Sequence, residues 1–264
     1  MLRIRHRFRR LILVVALLGG IATWLVVNPA SYEEIVSKIE DFGADFGINQ
    51  AADAISTNIS SLIAIPTTQA NPDAPLATAV LDELEVKGRS PKTGYAREEF
   101  YSSWPTVDGC NLRQRIIKRE LGDSAKLDGC TVLSGEYDEP YTGEHKIYSE
   151  KTEISNKIQI DHIVALSDAW QKGADLDHMS KEDRYALATD PLNLIAVDAS
   201  ANQSKSDGDA ATWLPANKRF RCQYVARQVS VKYKYHLWVT DVEKNAIAKI
   251  LENCPNEPAI GVSL

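Results

Sequence analysis

The chain predicts an α+β domain behind a hydrophobic N-terminal segment, and three observations carry that expectation. Two short β-rich runs, Ile158-Gln-Ile-Asp-His-Ile-Val and Leu194-Ile-Ala-Val, are separated by a long connection. Helical apolar spacing recurs on both sides of them. The composition, 44% hydrophobic and 25% charged over 264 residues, is globular, which excludes a disordered or fibrous chain.

The N-terminus sets the compartment. Residues 1–10 read MLRIRHRFRR, and residues 11–27 form a run of 17 without a charge. As a helix this run spans roughly 26 Å, close to the roughly 30 Å hydrocarbon core. The Arg cluster before it keeps the N-terminus cytoplasmic and puts everything after Val27 outside. Asn28-Pro-Ala supplies only one of the two small residues that a signal-peptide cleavage site wants. A single-pass membrane anchor is therefore expected for residues 1–30, with a secreted domain if the segment is cleaved.

Residues 31–75 read as an extracytoplasmic tether, ending in the Pro-rich IPTTQANPDAP, and residues 76–264 as the folded domain. Net charge is −6 overall but uneven: +5 in residues 1–30, −7 in 31–90 and −4 in 91–264. A globally basic nucleic-acid binder is excluded, though a local basic patch is not.

Within the domain, Leu76–Val86 has helical spacing at Leu76, Val80, Leu81 and Leu84. Asn111–Leu121 is a second helix, whose Arg113, Arg115, Lys118 and Arg119 read most simply as a solvated face and only secondarily as a phosphate-contacting one. Cys130–Leu133 and His145–Tyr148 form a hairpin around the turn residues DEPYTG. Ala199–Lys205 is a helix, and so is Cys222 to about Tyr233. Thr240-Asp-Val-Glu243 is a capping box opening a last helix to Cys254, with Val242, Ala246, Ile250 and Leu251 inside. The four cysteines, Cys110, Cys130, Cys222 and Cys254, form no CxxC pair. Outside the cytosol they suggest two disulfides with three possible connectivities, neighbour pairing among them.

The chemistry lies in residues 158–207: strand, loop, strand, helix. Asp161 and His162 sit on the first strand and point to opposite sides, Asn193 precedes the second, and Asn202 lies on the helix. This segment resembles the ββα-metal motif of HNH nucleases. DHIV followed by an Asn-containing second strand and N-x-x-K-S-D is similar to the HNH domain of RNA-guided CRISPR nucleases, although the chain is far too short for such an effector. From about Tyr95 to Cys254 it resembles a family of exported bacterial HNH proteins through GYAREEF, the Cys pair, DEPYTG, QIDHIVALSDAWQKGA, DPLNLIAVD, NQSKSDGDAATWLP and the Arg-Cys of FRC.

The resemblance implies a ββα-metal unit embedded among helices. It makes His162 the general base and Asn193 the residue that holds the loop and orients that base. Asp161 and Asn202 become metal ligands, and hydrolysis leaves a 5′-phosphate and a 3′-hydroxyl. The physical chemistry agrees. Phosphodiester hydrolysis needs an activated water, which an imidazole supplies near neutral pH. It also needs a cation, and one carboxylate with one amide oxygen suits Mg²⁺ or Mn²⁺ while leaving positions open. Lys205 is a tentative phosphate contact, balanced against a solvated helix charge.

Several residues read more blandly. Asp207 and Asp209 are expected to cap or bond locally, Trp170 and Trp213 to pack, and His145, His178 and His236 to be surface or core residues. Lys218, Arg219, Arg221 and Arg227 are either a phosphate track or a solvated face. The expected activity is metal-dependent cleavage of DNA outside the cytoplasm. The rivals are a catalytically idle envelope module that binds metal or a partner, and a nuclease acting on RNA. Nothing in the sequence points to a particular protein partner.

Overall fold

The computed structural model describes residues 74–261. The expected anchor, and the tether up to residue 73, lie outside the described residues. Among the described residues no helix is long and apolar enough to cross a membrane.

The fold is α+β, built from three small sheets and eight α-helices among the described residues. Helix α1 is Ala77–Glu83. A two-stranded ribbon of β1 (Thr106–Val107) and β2 (Cys110–Asn111) leads into α2, Leu112–Leu121. Asn111 starts α2 by accepting the Arg113 backbone N–H at 3.0 Å. Strands β3 (Lys126–Asp128), β4 (Thr131–Asp138) and β5 (His145–Tyr148) form an antiparallel sheet with β4 in the middle. DEPYTG turns β4 into β5, as the sequence predicts. Helix α3 is Lys151–Lys157, leading directly into β6, Ile158–His162.

Between β6 and β7 (Leu194–Asp198) lie α4 (Leu166–Ala169), a kinked turn to Ala174, and α5 (Lys181–Thr189). Helix α6 is Ala199–Lys205, capped by the Asp198 side chain, which accepts from Ser200 and Ala201. Helices α7 (Arg221–Lys234) and α8 (Asp241–Leu251) close the domain. At the kink, Gly173 has φ +113°, and a Cβ there would meet the Trp238 ring at 3.1 Å.

Strands β6 and β7 pair antiparallel, Ile158 against Asp198 and His162 against Leu194. Both faces of this ribbon are covered. Ile158, Ile160, Leu194 and Ala196 join a core with α2, whereas Ile163, Ile195 and Val197 join a core with α1, α7 and α8. That double burial explains the uninterrupted apolar run of β7. A third core gathers Phe100, Val164, Trp170, Leu187 and Val231. The disulfides pair neighbours, Cys110–Cys130 and Cys222–Cys254, with Cα atoms 5.5 and 6.3 Å apart.

The last helix departs from its expected face. It ends at Leu251 rather than Cys254, and Val242 is 66% exposed. The inward residues are Glu243, Ile247 and Leu251. Thr240 does cap the Glu243 N–H at 3.2 Å, but the Glu243 side chain does not return to the cap. It is fully buried instead, bound by Lys172 at 2.6 Å and Lys232 at 3.0 Å. Lys172 also meets Asp168 at 2.7 Å and Asp209 at 2.9 Å, Lys232 meets Asp168 at 3.2 Å, and Arg89 bridges Asp168 and Asp209 at 3.0 and 2.6 Å. Three cations thus match three carboxylates inside the domain.

Burial alone pushes the Asp209 carboxyl up, but Lys172 and Arg89 outweigh it and hold it down at about 2. Likewise burial lowers the Lys232 ammonium, and Asp168 with Glu243 carries it above its ordinary value.

Candidate active site

Strand alternation splits the Asp161-His162 pair, as the sequence predicts. On one side of β6, both Asp161 carboxylate oxygens face the Lys205 ammonium, at 3.0 and 2.9 Å, and one also accepts the Tyr141 hydroxyl. Tyr141 comes from the DEPYTG turn. Its burial, then the charge of Asp161, pushes its hydroxyl well above the usual range, so it stays a proton donor. Asn202, three residues before Lys205 on α6, donates its amide to Gln159 at 2.9 Å, on the same side of β6.

On the opposite side, the His162 ring stacks on Trp104 (centroids 6.0 Å apart, 12° between planes) and lies 6.0 Å from the Tyr101 ring. His162 Nε2 lies 2.9 Å from the Ala188 carbonyl. Only a donor can satisfy that oxygen, so Nε2 carries the proton and Nδ1 keeps the lone pair. Burial first, then the nearby Arg97 and Lys205, lower the imidazole to about 3 against the raising effect of the Ala188 bond. The ring is neutral at physiological pH and, because it is buried, a weaker base than the near-neutral imidazole that the sequence leads one to expect.

Asn193 holds this arrangement together. It is fully buried; its carbonyl oxygen accepts the Val164 N–H at 2.8 Å, and its amide donates to the carbonyls of Val164 and Leu187 at 3.3 Å each. It ties the end of β6 to the residue preceding Ala188, whose carbonyl fixes the imidazole.

Lys205 is neither a phosphate contact nor a solvated helix charge, the two readings the sequence allows. Its side chain is fully buried, bound to Asp161 and to the His162 carbonyl at 2.8 Å, because the α6 C-terminus packs onto β6 rather than facing solvent. The supposed phosphate track also dissolves. Arg227 is buried and donates to the carbonyls of Leu192 and Leu194 at 2.8 and 3.0 Å, Arg221 donates to Pro215, and Lys218 and Arg219 alone remain exposed. Arg119 joins Arg227 on the Leu194 carbonyl at 2.6 Å, so part of the α2 face expected to be solvated braces the start of β7 instead.

The donors fit a hard divalent ion in kind, one carboxylate and one amide whose oxygen has no hydrogen-bond partner among the described residues. Their charge is already matched, since Lys205 neutralises Asp161. The one group of three His, Cys, Asp or Glu donors among the described residues is Cys222, Cys254 and Glu257, and both sulfurs there are locked in a disulfide.

Beside this site opens a pocket of about 330 Å³, lined among others by Arg97, Trp104, Arg113, Gln159 and Asn202. The sequence singles out neither Tyr141 nor Arg97 as a site residue, and offers Arg113 only secondarily as a phosphate contact. The only signal was that Tyr141 and Arg97 fall inside quoted motifs, DEPYTG and GYAREEF.

Residues 113–250 match the family described as GmrSD restriction endonucleases, C-terminal domain, and this chain belongs to that nuclease family. It is also 33% identical over 192 residues to an uncharacterized secreted protein of Arthroderma benhamiae, an alignment covering 72% of this chain and 90% of the relative. No solved structure matches. Asp161, His162, Asn193, Asn202 and Lys205 all fall inside the matched region.

Proposed function

We propose that the protein is a metal-dependent HNH endonuclease that hydrolyses DNA phosphodiester bonds outside the cytoplasm. The observation that carries this reading is the fixed His162, with Nε2 committed to the Ala188 carbonyl and Nδ1 left to accept a proton from water. Asn193 is the positioning residue, acting through the loop that holds Ala188. Asp161 and Asn202 would hold the ion, which when bound supplies charge stabilisation at the scissile phosphate. Because Asp161 and His162 leave β6 on opposite sides, ion and base would approach a phosphate from two directions. The two disulfides suit an oxidising compartment, and the Arthroderma benhamiae relative, described as secreted, supports an extracytoplasmic location.

The test uses the full chain with its disulfides oxidised, supercoiled plasmid, and Mg²⁺ or Mn²⁺ against EDTA. Metal-dependent nicking supports the reading, and cutting of structured RNA alone moves the substrate to RNA. If neither polymer is cut with either ion, the idle-module reading takes over. One observation favours that alternative: the Asp161 carboxylate is already neutralised by Lys205.

A further inference from the structure

The pocket beside the site joins parts of the chain that the HNH motif does not include. Arg97 lies on a short turn, Arg97–Glu99, and is exposed. Its Nε and Nη2 donate to the Tyr101 hydroxyl at 3.2 and 2.7 Å, and its guanidinium sits 5.3 Å over the Tyr101 ring. Tyr101 and Trp104 are the two rings flanking His162, so Arg97 is fixed next to the proposed base. Arg113, in the first turn of α2, donates one Nη2 bond to the Ile158 carbonyl at 3.0 Å, which leaves the rest of its fork uncommitted among the described residues. It is half-buried, and burial pulls its guanidinium below its ordinary value.

Neither arginine has a carboxylate partner among the described residues, and no acidic residue lines the pocket. Arg113 has the Ile158 carbonyl and Arg97 the Tyr101 hydroxyl as their partners, so both guanidiniums keep free N–H groups at the pocket. The planar fork of arginine matches a phosphate bidentately. Asn202 on the same wall connects the pocket to the Asp161 side of β6.

From this geometry we infer that Arg97 and Arg113 form a two-guanidinium seat for a backbone phosphate of the DNA substrate, beside His162. The seat deepens the endonuclease reading and rests on it for the identity of the ligand. It also gives a domain of net charge −4 over residues 91–264 a local positive surface for a polyanion.

The test is equilibrium binding of a fluorescein-labelled 20-base-pair duplex to the full chain in EDTA, across a KCl series, alongside plasmid nicking in Mn²⁺. Arg97→Gln should weaken binding by roughly tenfold and lower the salt slope by about one. Arg113→Lys, which keeps the charge but loses the fork, should weaken binding with the slope unchanged. Lys249→Gln, an exposed charge on α8, should leave both alone. Unchanged affinity and slope in Arg97→Gln overturns the seat, as does absence of binding by the wild type. Arg97 is exposed, so its variant tests the seat even if Arg113→Lys fails to fold. The two readings separate cleanly. Arginine-dependent binding without any cleavage leaves the seat standing and rejects the nuclease, whereas nicking that ignores Arg97 does the reverse.

Discussion

Two buried lysine–carboxylate clusters draw on the same stretches of sequence and differ in completeness. Residues 161–174 supply Asp161 to one and Asp168 with Lys172 to the other, and residues 205–209 supply Lys205 to the first and Asp209 to the second. In the second cluster three carboxylates meet three cations, two of them fully buried lysines, and every member joins segments distant in sequence. At Asp161 a single carboxylate meets one ammonium and one hydroxyl, next to an open pocket with two guanidiniums that no acid answers. Balanced charge holds the fold here, and the two arginines that no acid answers lie where we propose that a phosphate binds.

The largest expected effect breaks the balanced cluster. Lys172→Ala strands Asp168, Asp209 and Glu243 with too little positive charge and should destabilise the domain by about 3–5 kcal/mol, read by urea denaturation. Lys205→Ala should also destabilise, but with a difference that sharpens the comparison. Millimolar Mg²⁺ or Mn²⁺ should raise the melting temperature of Lys205→Ala, because an ion can take the place of the ammonium at Asp161, and should leave Lys172→Ala unmoved. Equal metal response in both variants contradicts the distinction.

Reduction of the Cys222–Cys254 bridge, with its 32-residue separation, should cost about 3–4 kcal/mol from loop entropy, measured as a shift in the denaturation midpoint. Asn193→Ala should lose about 1–3 kcal/mol by orphaning the Val164 N–H and two carbonyls, and should slow nicking beyond what unfolding explains.

The smallest effect is with pH. Asp209 titrates at about 2 in the fold against an ordinary 3.8, so its stabilisation is complete above pH 4 and fades as pH falls towards 2. Lys232 is shifted upward from 10.5, so its contribution is complete below that value and is lost as pH rises from there through the raised pKa. A melting-temperature profile should therefore be flat in both contributions from pH 5 to 9.

The strand–strand–helix order, the DEPYTG hairpin and the opposite facing of Asp161 and His162 were legible in the sequence, because each depends on local period or turn chemistry, whereas the cysteines left three connectivities open. What was not legible depends on which elements meet. Glu243 reads as half of a capping box, and it becomes a buried ion only because α8 packs over Lys172 and Lys232. Lys205 and Arg227 read as surface charges in helices, yet their faces press onto β6 and the start of β7. Helix α5 carries Ser180 as its cap in a segment too polar to show a strong apolar stripe. Tyr141 and Arg97 sit in turns, where periodicity carries no information about neighbours.

The most direct test of the site is plasmid nicking in Mn²⁺ by wild type and His162→Ala, with circular dichroism confirming that both are folded at the assay temperature. The fixed-imidazole geometry predicts that the variant loses about 10²–10⁴-fold in rate while staying folded. A folded His162→Ala that nicks at the wild-type rate would contradict the assignment of His162 as the base.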